Sequence, residues 1–145
     1  MNEKGREIMT LTRDIMTSDA RCIGENDALT IAAEMMRELD VGALPICGED
    51  GRLKGMLTDR DIVVKALADG LDPETTNAGR LASGRLVYVS ADDDIEVALA
   101  KMQENQIRRV PVIEDQRLVG IVSQADIARH LEPETTGETV ESISR

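Results

Sequence analysis

Aromatic side chains are almost missing from this chain: Tyr88 is the only one, and neither Phe nor Trp occurs. That removes the stacking platforms on which proteins hold single-stranded nucleic acid. Positive charge is also scarce. Seventeen Lys and Arg face 28 Asp and Glu, a net charge of −11, so the surface repels nucleic acid and anionic membranes at long range. Nucleic acid is excluded as a main partner, whereas a small anionic ligand is not, because a local nest of N–H groups and arginines can override the global sign. His130 with Cys22 and Cys47, and no CxxC, cannot complete a zinc site. Two cysteines are also too few for a disulfide scaffold. No apolar run reaches about 18 residues, which predicts no transmembrane helix. Met1 to Glu7 carries charges without the apolar stretch of a secretory signal. These absences predict a soluble, cytoplasmic protein.

What is present is a core-forming content of 41% hydrophobic residues, supplied by Leu, Ile, Val, Ala and seven Met. At 145 residues the chain is one domain, or two very small repeats sharing a core. The repeats are legible. Gly55-Met56-Leu57-Thr58-Asp59-Arg60-Asp61-Ile62 returns as Gly120-Ile121-Val122-Ser123-Gln124-Ala125-Asp126-Ile127. Each reads as a strand running into a helix N-terminus, where free N–H groups and the helix dipole favour phosphate. The plain reading is that Thr58 is a helix cap and that Asp59 and Asp61 are acids favoured in a first turn. A cap needs only the hydroxyl, however. An aspartate that recurs three residues later, while Asp59 and Arg60 become Gln124 and Ala125, asks for a second reason, such as accepting hydrogen bonds from a ribose diol.

Sliding the halves by 66 residues aligns Asp27 with Asp93, Met36 with Met102 and Pro45 with Pro111; after one residue is lost in a turn, Arg52, Gly55 and Asp61 meet Arg117, Gly120 and Asp126. Each unit reads β-α-β-β-α. The first has a strand near Arg21 to Ile23, a helix capped by Asp27 with Ala28, Ile31, Ala32, Met35, Met36 and Leu39 inward, and a hairpin across Gly48-Glu49-Asp50-Gly51. The helix after Thr58 is expected to bury Ile62, Val63, Ala66 and Leu67. The second has a strand over Leu86 to Val89, a helix capped by Asp92 or Asp93 that buries Ile95, Ala98, Leu99 and Met102, and a hairpin turning at Glu114 to Arg117. The fold class is therefore α/β (α+β), two repeats packed about a pseudo-twofold axis with related clefts between them. The boundaries are an N-terminal arm 1–12, repeat one 13–72, a linker 73–79, repeat two 80–131 and an acidic tail 132–145 expected to be flexible.

Gly42-Ala43-Leu44-Pro45-Ile46 with the Gly55–Ile62 stretch, and Arg109-Val110-Pro111-Val112 with the Gly120–Ile127 stretch, closely resemble a tandem pair of CBS domains, the Bateman module. Arg13-Asp14-Ile15-Met16-Thr17 looks like the lead-in that precedes many first CBS repeats. The resemblance spans Arg13 to Leu131, through motifs that are degenerate singly and specific jointly. It implies an adenosine-type ligand, AMP, ADP or ATP, less often NAD or S-adenosylmethionine, with no required cofactor. By position, Asp61 and Asp126 would hold ribose hydroxyls and Thr58 and Ser123 would contact phosphate or ribose. Ile23, Val41, Ala43 and Pro45 would wall the base in one cleft, and Val89, Ile107, Arg109 and Pro111 in the other. It also implies a homodimer.

The halves differ where Gly42 and Ala43 correspond to Arg108 and Arg109. Two guanidiniums can neutralise a polyphosphate, so the clefts are expected to be unequal; the plainer reading is solvated surface arginine. Arg60 is a further phosphate candidate, its plainer role an exposed ion pair. Cys22 and Cys47 end two strands joined by a helical crossover, which makes those strands parallel neighbours. In a reducing cytoplasm they read as two small buried side chains, with a redox-sensitive bridge as the alternative. No catalytic constellation is visible, so the chain is not expected to be an enzyme. The first functional reading is a stand-alone sensor that binds an adenine nucleotide and signals to an unknown protein partner. The second is a ligand-free structural or interaction dimer of the stress-response kind.

Overall fold

The computed structural model describes residues 9–18, 20–82 and 86–131, so the expected tail 132–145 and most of the arm 1–12 lie outside the described residues. The elements, in chain order, are α1 (Thr12–Ile15), β1 (Thr17–Ser18), β2 (Ile23–Gly24), α2 (Leu29–Leu39), β3 (Ala43–Cys47), β4 (Leu53–Thr58) and α3 (Asp59–Asp61), which runs on as a π-helical turn, π1 (Ile62–Leu67). Then follow α4 (Ala78–Leu81), β5 (Val89–Ser90), α5 (Ile95–Asn105), β6 (Arg109–Glu114), β7 (Arg117–Ser123) and α6 (Gln124–Leu131). The β-α-β-β-α order occurs twice, each time preceded by a four-residue helix.

The chain divides into two compact units, each with its own sheet and core. One carries the three-stranded sheet β2-β3-β4. There β2 runs parallel to β3, as the crossover through α2 requires. β3 and β4 form the antiparallel hairpin with Leu44 opposite Leu57 and Ala43 opposite Thr58, and a register shift at Ile46/Cys47. Ile23, Leu29, Leu44, Ile46 and Leu57 fill its core. The other unit carries the sheet β1-β7-β6-β5 over Val89, Ile95, Met102, Val110 and Val122.

Each unit takes in the short helix that precedes the other repeat. Thr12 and Arg13 donate their N–H groups to the carbonyls of Asp93 and Ala91, and Ile95 N–H donates to Thr10. The same three bonds recur 66 residues on, from Ala78 to Asp27, from Gly79 to Glu25 and from Leu29 to Thr76. Thr10 to Thr12, expected in a loose arm, and Thr76 to Ala78, expected in a linker, are therefore hydrogen-bonded at helix N-termini, and Thr12, Thr76 and Ala78 are buried. These carbonyls satisfy helix donors that the sequence reading assigned to side-chain caps. That is why Asp27 does not cap α2. The N-cap is Ala28, and the Asp27 carboxylate turns back to accept from Gly24 N–H at 2.9 Å. Asp93 likewise accepts from Ser90 N–H at 2.8 Å, and the cap of α5 is Asp94, whose side chain accepts from Glu96 N–H.

Other expectations shift by a residue or a face. The first strands of the two repeats are Ile23–Gly24 and Val89–Ser90, later than expected. Ile31 and Leu39 are exposed on α2, and Leu99 on α5 is only half-buried. In π1 the wider turn rotates Val63 and Leu67 outward, to 56% and 55% exposure, and leaves Ala66 inside.

Both long helices end on a non-glycine residue in the left-handed region, Asp40 (φ 57°) and Gln106 (φ 57°), each donating its N–H to a methionine carbonyl one turn back. A Cβ in that conformation costs on the order of 1 kcal/mol. Gln106→Gly is expected to raise folding stability by only about 0.5 kcal/mol, because glycine's greater freedom in the unfolded chain offsets part of the relieved strain. Urea unfolding checks this; a decrease would show that the Gln106 side chain holds something the left-handed strain conceals.

Candidate functional site

The repeated stretch forms the same object in both units, a strand end turning into a helix through a reciprocal cap. Thr58 Oγ1 accepts from Asp61 N–H at 3.0 Å, while Asp61 Oδ2 accepts from Thr58 N–H at 3.1 Å. In the second repeat Ser123 Oγ accepts from Asp126 N–H, and Asp126 Oδ2 from Ser123 N–H, both at 3.1 Å. The hydroxyl and the aspartate three residues later thus close a capping box, which explains their recurrence by local structure alone. One carboxylate oxygen of each is spent on the box.

The second oxygen is what remains for a ligand, and in each repeat a cation stands on it. Lys65 Nζ lies 3.3 Å from Asp61 Oδ1, and an Arg129 guanidinium nitrogen lies 2.6 Å from Asp126 Oδ1. Asp61 and Asp126 are about one-fifth exposed, and Lys65 and Arg129 are more open. Sequence reasoning missed both cations, although their spacing of four and three from the aspartates is the helical spacing that brings side chains together. Exposed pairs of this kind are weakly held, so a diol can take the carboxylate oxygen while the displaced cation meets phosphate.

A second tie frames each box. Asp59 N–H donates to the Gly42 carbonyl at 2.9 Å, and Gln124 N–H donates to the Arg108 carbonyl at 2.8 Å. The loop entering β3 or β6 is thereby pinned to the first turn of the following helix, and Ala43 pairs directly with Thr58. Here the repeats diverge in charge. The first has glycine beside an acid: a Cβ on Gly42 would lie 3.1 Å from Asp59 Oδ2. The second has the exposed Arg108 and Arg109 beside neutral Gln124. Arg60 is exposed on α3.

Of the residues expected to wall a base, Val41, Ala43 and Ile107 are half-buried near these boxes, and Pro45 and Pro111 are buried in β3 and β6. Ile23 and Val89 are at 0% and 1% exposure inside the two cores. In this conformation their side chains back the strands and offer no ligand surface.

The family model of the CBS domain matches residues 12–67 and again 78–133. Over 135 residues the chain is 57% identical to Hypoxic response protein 1 of Mycobacterium tuberculosis, covering 93% of this chain and 94% of that protein. A crystal structure of Hypoxic Response Protein I with two coordinated zinc ions is 61% identical, with a TM-score of 0.80 over 84% of this chain and 99% of that one. The CBS domain pair of protein MJ0100, in complex with 5′-methylthioadenosine and S-adenosyl-L-methionine, is 29% identical, with a TM-score of 0.73 over 87% of this chain and 98% of that one. Two family matches that fall on the two structural repeats leave one conclusion: this chain belongs to the CBS domain family and carries the domain twice.

Proposed function

We propose that the chain is a regulatory CBS pair, not an enzyme, that binds an adenosine-type nucleotide at the Thr58/Asp61 and Ser123/Asp126 boxes. The observation that carries this reading is the pairing, in both repeats, of a helix N-terminus with a carboxylate oxygen that faces an exposed cation. Ribose and phosphate need those two features together. The adenosine-type ligands of the similar MJ0100 pair support the class. Arg108, Arg109 and Arg129 favour the longer polyphosphates at the second box, ATP before AMP, whereas Asp59 disfavours them at the first.

Among the described residues no group of three or more His, Cys, Asp or Glu is placed to hold a metal ion. His130, the single histidine, has its Nε2 3.0 Å from Thr10 Oγ1.

Thermal unfolding with AMP, ADP, ATP, NAD and S-adenosylmethionine tests the proposal. A ligand at about 100 times its dissociation constant adds roughly 2.7 kcal/mol. Asp61→Asn and Asp126→Asn keep the cap acceptor and remove the charge, so each is expected to abolish the shift from its own box while leaving the unliganded protein within about 1 kcal/mol of the parent. No shift with any of the five, on folded protein, overturns the sensor reading. A second reading, a homodimeric interaction protein, is favoured by the exposed Val63, Val64 and Leu67 of π1. A sedimentation mass of one chain would sink that one.

A further inference from the structure

We propose that the cavity at the end of β2 and β3 is a binding site for a guanidinium group, carried by free arginine or by an arginine of a protein partner. Neither the capping boxes nor the family assignment uses it. Ala43 pairs with Thr58 but Cys47 pairs with Leu53, so the cavity lies at the end of the sheet away from the first box. Its volume of about 130 Å³ gives room for several water-sized groups, and hence for the four heavy atoms of a guanidinium. The other repeat holds one in the same place. At the offset of 66 residues the two backbone frames match: Gly24 pairs with Cys47 as Ser90 pairs with Ile113. Glu25 N–H donates to the Cys47 carbonyl as Ala91 N–H does to Ile113, and Gly79 N–H donates to the Glu25 carbonyl as Arg13 N–H does to Ala91. Within that frame the Arg13 guanidinium is bonded to Asp92 and, at 2.7 Å, to Glu114 Oε2.

All three partners are replaced in the unit with the cavity: Arg13 by Gly79, Asp92 by Asn26 and Glu114 by Gly48. Asn26 and Gly48 line the cavity, so the space is the one that the arginine vacates. Negative charge returns from flanking positions. Glu25 and Glu49 stand where the other unit has Ala91 and Asp115, and with Asp27 they complete the lining. Glu25 is half-buried, and Asp27 and Glu49 are exposed. Among the described residues none of these three acids is in an ion pair. The basic groups of the same hairpin, Arg52 and Lys54, each stand 3.8 Å from Asp50 Oδ2 instead. Asp27 spends Oδ2 on Gly24 N–H, which leaves Glu25 and Glu49 as the principal acceptors. Among the described residues no such acids are placed to share a metal ion. A guanidinium, by contrast, directs five N–H donors outward in a plane and can reach carboxylates that stand apart.

The test titrates the isotope-labelled full-length protein with L-arginine and, separately, with a blocked tripeptide carrying arginine between two glycines, and follows each backbone amide by NMR. Saturable shifts are expected at Gly24 to Asp27 and at Gly48 and Glu49, with a dissociation constant on the order of 1 mM. Ser90 to Asp93 should stay silent, because Arg13 already fills that place. Saturation by arginine alone assigns the site to a free ligand, and saturation by the tripeptide to a protein side chain; either supports the proposal. Glu25→Gln combined with Glu49→Gln should weaken binding by about tenfold or more, since both charged acceptors are lost, and the amide spectrum itself reports that the variant is folded. Arg13→Ala should open the equivalent space, so that Ser90 to Asp93 begin to respond to the same probes. No saturable shift at the cavity, equal shifts over all the acidic loops, or an unchanged response in the double Gln variant would each overturn the proposal. So would equal binding of the matching lysine tripeptide, which lacks the planar fork, or a folded Arg13→Ala protein that stays silent at Ser90 to Asp93.

Discussion

Gly120→Val is expected to cost about 3 kcal/mol or more, because it overfills a site where two strands already touch. A Cβ on Gly120 would lie 2.6 Å from Met16 Sδ and 2.8 Å from the backbone oxygen of Thr17. The first neighbour is the end of a flexible side chain and can move. The second is main chain in β1, which pairs Ser18 with Gly120 and Thr17 with Ile121, so relief there means peeling β1 from β7. Adding Met16→Ala should recover only the part due to the sulfur. Gly55, the same position in the first repeat, meets Ala82 Cβ at 3.0 Å, and Gly55→Ala should cost less. Urea unfolding decides: a Gly120→Val protein within about 1 kcal/mol of the parent, at unchanged m, would show that β1 contributes little to the fold.

Leu57→Ala should be comparably damaging, at about 3–4 kcal/mol. Leu57 is fully buried, faces Leu44 across the hairpin and packs in the core of the β2-β3-β4 unit. It also directly precedes Thr58, so the void opens beneath the first capping box. The double mutant Leu44→Ala/Leu57→Ala should show coupling on the order of 1 kcal/mol, since the two side chains share one space. If adenine nucleotides bind at the first box, the shift caused by them should weaken in Leu57→Ala while the second box keeps its own. A loss below about 1.5 kcal/mol would mean that the unit collapses to fill the void, a plasticity that methionine-rich cores can have.

Physical range explains which features could be read in advance. A hydroxyl followed three residues later by aspartate closes its bonds within one turn, so Thr58/Asp61 and Ser123/Asp126 were legible as a repeated local signal. The Lys65 and Arg129 contacts obey the same short helical spacing, so they too are local features. The caps of α2 and α5 were misplaced for the opposite reason. Their donors are met by Thr76 and Thr10, which no local window contains. Val63 and Leu67 fit an α-helical period and were expected inside; a π-helical turn changes the angle per residue and turns them out.

By itself, then, the sequence determined the duplication, the β-α-β-β-α order of each repeat, both hairpins and both capping boxes, because these depend on contacts between residues close in the chain. It also determined the charge difference between Gly42-Ala43 and Arg108-Arg109. The tertiary structure alone decided that each short lead-in helix completes the opposite repeat, and hence why glycine recurs at 55 and 120. The strand there must admit the residue that follows a lead-in helix, Ala82 in one unit and Met16 in the other. Sequence patterning records which face a residue prefers, whereas only packing shows which distant backbone arrives at that face.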